Sequence, residues 1–179
     1  VRRYILTNDG PCNKLIKTEL IKKNNLYFPK LRAYEDIAVV PAYGIFAKKI
    51  VWVDECFYYY LMRTGSTMKQ TVYSDKLLEI FASMQNLVNI FIENGWFKQY
   101  YYELEFLLIH HLLHGAGLRF IKFDNYEDNL DKIIKMIKHT FPKWSKNIYY
   151  KKQTLKYRII CQLLFKKQIK LLAFLRKSR

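Results

Sequence analysis

Two acidic residues side by side, Glu35 and Asp36, are the first groups in this chain whose type and place can do chemistry. They follow a loop and stand before an apolar stretch, where a carboxylate can act as a general base. The same pair can instead cap a helix, because the unpaired amides and the dipole of a first turn favour negative charge. Further on, LMRTGST carries Arg63, Gly65 and Ser66 in an Arg-x-Gly-Ser turn. A guanidinium bonds phosphate oxygens in pairs, and a glycine turn lets backbone amides approach an anion; a plain strand-ending turn is the other reading. His110, His111 and His114 form a third group, with two imidazoles four residues apart on one helix face, a spacing that can hold a metal. No carboxylate stands between them and their flanks are core-like, so they read as packed histidines, and no metal is assigned.

The elements that must position these groups follow from periodicity. Residues 4–7 read as a short strand, NDGP at 8–11 as a turn, and 13–21 as a helix with Leu15, Ile16, Leu20 and Ile21 along one stripe. The loop NNLYFPKLRAY then delivers Glu35 and Asp36 to the start of a helix that buries Ile37, Val40, Tyr43, Gly44 and Ala47, with Pro41 expected to kink its second turn. Residues 50–61, rich in β-branched and aromatic side chains, read as a strand closed by the Arg63 turn. From Tyr73 the pattern is helical: Leu77, Leu78, Phe81, Met84, Val88 and Phe91–Ile92 recur every three or four residues up to Asn94-Gly95. Three more helices are expected, over 96–115, from Asp124 or Asn125 to His139, and over 153–176.

Composition bounds the remaining possibilities. In 179 residues, 51% hydrophobic and 17% aromatic content is enough for a core, and only six glycines and four prolines favour helices over a turn-rich all-β chain. Cys12, Cys56 and Cys161 are odd in number and widely spaced, which fits neither a disulfide framework nor structural zinc and points to a reducing compartment. The uncharged runs fall short of the ~20 residues that span a bilayer. Net charge is +16, and no Asp or Glu follows Asp131. Such a block attracts polyanions. Over 152–179, leucines and isoleucines are flanked by Lys156, Arg158, Lys166, Lys167, Lys170 and Arg176, the composition of a helix on an anionic membrane surface, or of a core helix with solvated cations. Nucleic acid is not expected as a partner, since the aromatics fall at core spacing and no RRM, KH, zinc-finger or basic-zipper pattern occurs.

The order of CNKLIKTELI, Phe28-Pro29, Glu35-Asp36, IVWVDECFYYY and Arg63-x-Gly65-Ser66 over roughly residues 8–68 resembles the C-terminal half of the catalytic domain of family 2 glycosyltransferases. These are inverting enzymes of GT-A fold that extend bacterial surface polysaccharides. The resemblance implies that Asp36 is the catalytic base, that Glu35 orients the site or bonds an acceptor hydroxyl, and that Asn13 and Lys14 line the sugar pocket. Arg63, Gly65 and Ser66 would then hold the leaving diphosphate. The family's nucleotide-binding half carries an Asp-x-Asp that holds a divalent metal, Mg or Mn; this chain has no Asp-x-Asp, and the stretch VRRYILTNDG leaves no room for that half before Asn13.

The expectation is therefore an α/β remnant of a GT-A (Rossmann-like) domain over 1–70, followed by a mainly α-helical region over 71–179, with helix dominant overall. The parent would be a transferase of hexosyltransferase type, using a nucleotide-sugar donor and a glycan acceptor in the cytoplasm or at the inner face of the cell membrane. Alone, the chain would bind no metal and would not turn over. The alternative is a non-enzymatic basic helical module that binds anionic membrane or a partner protein.

Overall fold

The computed structural model describes residues 1–7, 10–59, 61 and 73–177. The chain forms two compact units, Val1–Gly95 and Trp96–Arg179.

In the first unit the described α-helices are α1 (Arg2–Ile5), α2 (Thr18–Lys23), α3 (Val40–Phe46) and α4 (Glu79–Glu93). The core is α3 against α4. Residues 37–45 are all buried, and Ile80, Met84, Leu87, Val88 and Phe91 supply the matching stripe of α4. Each such large apolar side chain contributes about 1.5–3 kcal/mol on burial. Tyr4 and Ile5 of α1 complete the core, and Gly44 makes room for Tyr4: a Cβ at Gly44 would lie 2.3 Å from the Tyr4 ring. α4 stops at Asn94, with Gly95 at φ +73° in the left-handed conformation that a helix end favours.

The second unit contains α5 (Tyr101–Leu108), a π-helical segment (Ile109–Ala116), α6 (Gly117–Phe120), α7 (Tyr126–Thr140), α8 (Ile148–Lys151), α9 (Leu155–Phe165) and α10 (Ile169–Lys177). The continuous rod from α5 to α6 is its centre, with Leu104, Leu108, Ile109, Leu112, Leu113 and Phe120 fully buried. α7 presents Leu130, Ile133 and Ile137 to this core, and α9 presents Cys161 and Leu164. Gly117 lets Leu164 approach, at 3.3 Å from where a Cβ would stand.

The α/β expectation is overturned. Among the described residues there is no strand and no sheet, so no Rossmann-like remnant is present. Residues 4–7, expected as strand, fall within or just after α1, where Ile5 N–H bonds the Val1 carbonyl. Residues 50–59 form no ladder, and Val51, Trp52, Phe57 and Tyr59 stand in solvent. Their β-branched and aromatic composition suits a pleated, half-buried surface, and that preference has no effect without a neighbouring strand. The helix expected over 13–21 also changes. Pro11–Asn13 is a single 3-10 turn, Lys14 is extended, and helix begins only at Thr18, leaving Leu15 fully exposed. Two turns without an apolar surface to cover have little to hold them.

Candidate functional site

The acidic pair lies in a turn over residues 35–39 that leads into α3. Pro41 sets this arrangement. Lacking an N–H, it fits the first turn of a helix but not the interior, so α3 starts at Val40 instead of at Glu35, and no kink results. The Asp36 carbonyl accepts the Val39 and Val40 N–H groups at 3.1 and 2.9 Å, and its carboxylate accepts the Ile37 N–H at 2.8 Å. Glu35 and Asp36 are both half-buried.

α4 clamps the same turn from the other side. Ser83 Oγ donates to the Tyr34 carbonyl at 2.7 Å and Asn86 Nδ2 to the Ala38 carbonyl at 3.1 Å. Glu79 pairs with Arg32 and accepts the Arg32 and Ala33 N–H groups, and these bonds hold its carboxyl below the usual range, with the Arg32 side chain the main cause. Tyr34 is thereby held at φ +64°, a left-handed conformation that costs a side chain about 1–2 kcal/mol. Strain of this kind persists only where surrounding contacts fix it, and here it sits immediately before Glu35.

Asn13 and Lys14 approach α3 through Tyr4. The Lys14 ammonium lies 5.9 Å from the Tyr4 ring centroid and donates to the Gly10 carbonyl at 2.8 Å and to Asn13 Oδ1 at 2.7 Å. The Tyr4 hydroxyl in turn donates to the Val40 carbonyl at 3.2 Å. Burial, with a smaller contribution from Tyr43, pushes the Tyr4 hydroxyl up to about 12, so it remains a donor at any physiological pH. Two of the sequence-derived groups, Asn13-Lys14 and Glu35-Asp36, are thus tied to the first residue of α3. Arg63, Gly65 and Ser66 lie outside the described residues. Sequence reasoning missed Tyr4, Ser83 and Asn86, which act across 36 to 49 residues. Only Gly44, in an otherwise apolar helix, signalled a close approach.

The second unit holds a separate polar cluster. Asn147 is fully buried and uses both ends of its amide: Oδ1 accepts the Tyr149 and Tyr150 N–H groups and caps α8, while Nδ2 donates to the Tyr102 carbonyl at 2.8 Å and to Glu105 Oε2 at 2.7 Å. Glu105 is 1% exposed, and its Oε1 has no hydrogen-bond partner among the described residues. Burial pushes its carboxyl up, against the opposing effect of the Asn147 amide. Nearby in sequence, Tyr149 donates its hydroxyl to buried Glu103.

His110 and His114 stack with centroids 6.2 Å apart, and His114 stacks on Tyr157 at 4.3 Å. Burial, then the neighbouring His110, lowers the His114 pKa, which favours neutral imidazole. Among the described residues no group of three His, Cys, Asp or Glu side chains comes together as a metal site. No helix among them is long and apolar enough to cross a membrane.

No protein family matches the chain, and neither does any curated protein or solved structure.

Proposed function

We propose that this chain forms the acceptor side of an inverting glycosyltransferase of hexosyltransferase type, acting at the cytoplasmic face of the cell membrane in surface polysaccharide synthesis. What supports the reading is the ordered resemblance over roughly residues 8–68. The observation that carries it is the Asp36 turn: a half-buried carboxylate beside a strained Tyr34, fixed by α4 and linked through Tyr4 to Asn13 and Lys14.

In this reading the Asp36 carboxylate takes the proton of an acceptor hydroxyl. The freed oxygen lone pair forms a bond to the anomeric carbon of the donor sugar from the face opposite the nucleotide. The bond to the diphosphate oxygen breaks with its electron pair, inverting the centre. The Ile37 N–H on Oδ1 sets the direction in which the carboxylate faces the hydroxyl. Glu35 orients the acceptor, Asn13 and Lys14 bond sugar hydroxyls or phosphate, and Arg63, Gly65 and Ser66 receive the departing diphosphate. A divalent metal, Mg or Mn, would supply charge to that leaving group; the described residues offer no donor set for it, so their part is proton transfer and positioning.

The test is Asp36→Asn in the enzyme that carries this chain. The amide still accepts the Ile37 N–H, so the melting transition should stay in place while kcat falls about 10²–10⁴-fold and donor affinity is kept. Turnover within about threefold of the parent, against that general-base contribution, would reject Asp36 as the base.

A further inference from the structure

The last apolar run of the chain is not one helix. α9 ends at Phe165, and the Lys167 and Gln168 N–H groups bond back to the Leu164 and Leu163 carbonyls at 3.0 and 2.8 Å, closing the helix end with Lys167 at φ +54°. The chain restarts as α10, and the turn reorients its side chains. Leu172 faces inward at 2% exposure, while Leu171, Phe174 and Leu175 stand in solvent, Phe174 at 66%. Positions 171, 174 and 175 are spaced by three and four residues and therefore share one face. Lys170 lies one turn before Phe174, and Lys166, Lys167 and Lys170 are all exposed.

We infer that this face of α10 is a docking surface for anionic lipid, a property independent of the transferase reading. Charge complementarity selects this occupant. Every charged residue after Asp131 is Lys or Arg, so a second copy of the same face would meet like charge. A nucleic acid would use the cations but leave Leu171, Phe174 and Leu175 in water. An anionic bilayer satisfies both: the apolar side chains enter the acyl boundary while the lysines stay among the headgroups. Phe174 is the deepest contact, being the largest and most exposed of the three.

The experiment is sedimentation of the full chain with phosphatidylcholine vesicles, with and without about one third phosphatidylglycerol. Partitioning onto the anionic vesicles should be about 25-fold stronger at low salt, from Lys166 and Lys170, each worth about fivefold near such a surface, with Lys167 already paired with Asp131. Phe174→Ser and Leu171→Ser together should lower it about tenfold or more while leaving the melting temperature unchanged, since neither side chain is buried. In a second readout, Phe174→Trp adds a fluorophore at the deepest contact, and the emission it adds over the parent should shift to the blue on anionic vesicles alone. Equal partitioning onto neutral and anionic vesicles, or no blue shift in the emission added by Phe174→Trp, would overturn the inference. So would binding to a short duplex DNA that equals vesicle binding and survives both serine substitutions, or a concentration-dependent dimer that the substitutions abolish without changing vesicle binding.

Discussion

Residues 50–59 and the α5–α6 rod are both strongly apolar stretches, yet one lies in solvent and the other is the centre of a core. Trp52 and Phe57 are 72% and 76% exposed; Leu112 and Phe120 are fully buried. Hydrophobic content does not separate them. The rod satisfies its backbone within itself, so it can be buried on any side by α7 and α9. The 50–59 stretch has side chains suited to a sheet, and its backbone needs a second strand to bond; without one it cannot leave water. Burial is decided first by where the amides and carbonyls go.

This contrast predicts a large asymmetry. Phe120→Ala should lower unfolding free energy by about 3–5 kcal/mol, since the ring is fully buried in the centre of its unit and its loss leaves a cavity. Phe57→Ala should change it by no more than about 0.5 kcal/mol. Urea titration of each variant is the measurement. A cost at Phe57 above about 2 kcal/mol, the range of a buried side chain, would mean that the extended segment is packed in solution, and the contrast would fail.

A second, smaller effect separates burial of carbon from burial of charge within the rod. Glu105 has a folded-state carboxyl pKa raised by burial above its unfolded value of about 4.3. The folded state therefore binds the proton more tightly than the unfolded state does. The stability that Glu105 contributes is full below pH ~4 and is lost as pH rises through the folded-state value. Glu105→Gln cannot ionise and still offers a carbonyl to Asn147 Nδ2. The variant should be level with the parent near pH ~4 and more stable by about 1–2 kcal/mol at pH ~7, the cost of an ionised buried group lacking one partner. A difference that stays flat between about pH 4 and 8 would show that Glu105 is hydrated in solution.

What is legible in the sequence follows the same division. The stripe of Met84, Val88 and Phe91 marks α4 and is buried, and Asn94-Gly95 ends it, because helix periodicity and helix-end chemistry are local. Phe81 and Ile92 fit that stripe by spacing and yet lie beside it; i, i+3 and i, i+4 spacing admits two overlapping faces, and only Tyr34 and Ala38 bonding to Ser83 and Asn86 selects one. The strand expected over 50–61 rests on composition that is also local, but a sheet is a non-local object, and its partner is not written in these residues. In the candidate site, Glu35 and Asp36 are visible as types. The displacement of the helix start to Val40 is encoded in Pro41, where a kink is the expectation, since a proline marks a boundary as readily as a bend. Tyr4 carries no local signal at all.

The smallest effect concerns the break between α9 and α10, where an apolar pattern continuous in sequence is divided by one backbone conformation. Lys167 occupies the left-handed position of the helix end, at a cost of about 1 kcal/mol relative to glycine. It is also paired with Asp131 at 2.5 Å, in a bridge whose side chains are 37% and 60% exposed and which is therefore worth at most about 1 kcal/mol. Lys167→Gly removes both terms and adds unfolded-state entropy of a few tenths. With the bridge taken at about 0.5 kcal/mol, the net expectation is a gain of about 0.2 kcal/mol, and Asp131→Asn, which removes the bridge alone, should lose about 0.5 kcal/mol. In the double variant the gain from glycine should grow to about 0.7 kcal/mol, because no bridge remains to be lost. Urea midpoints of the four proteins give the cycle. A loss on Lys167→Gly in the Asp131→Asn background would mean that the left-handed residue costs nothing, and the split of α9 from α10 would then rest on packing of Leu163, Leu164 and Leu172 alone.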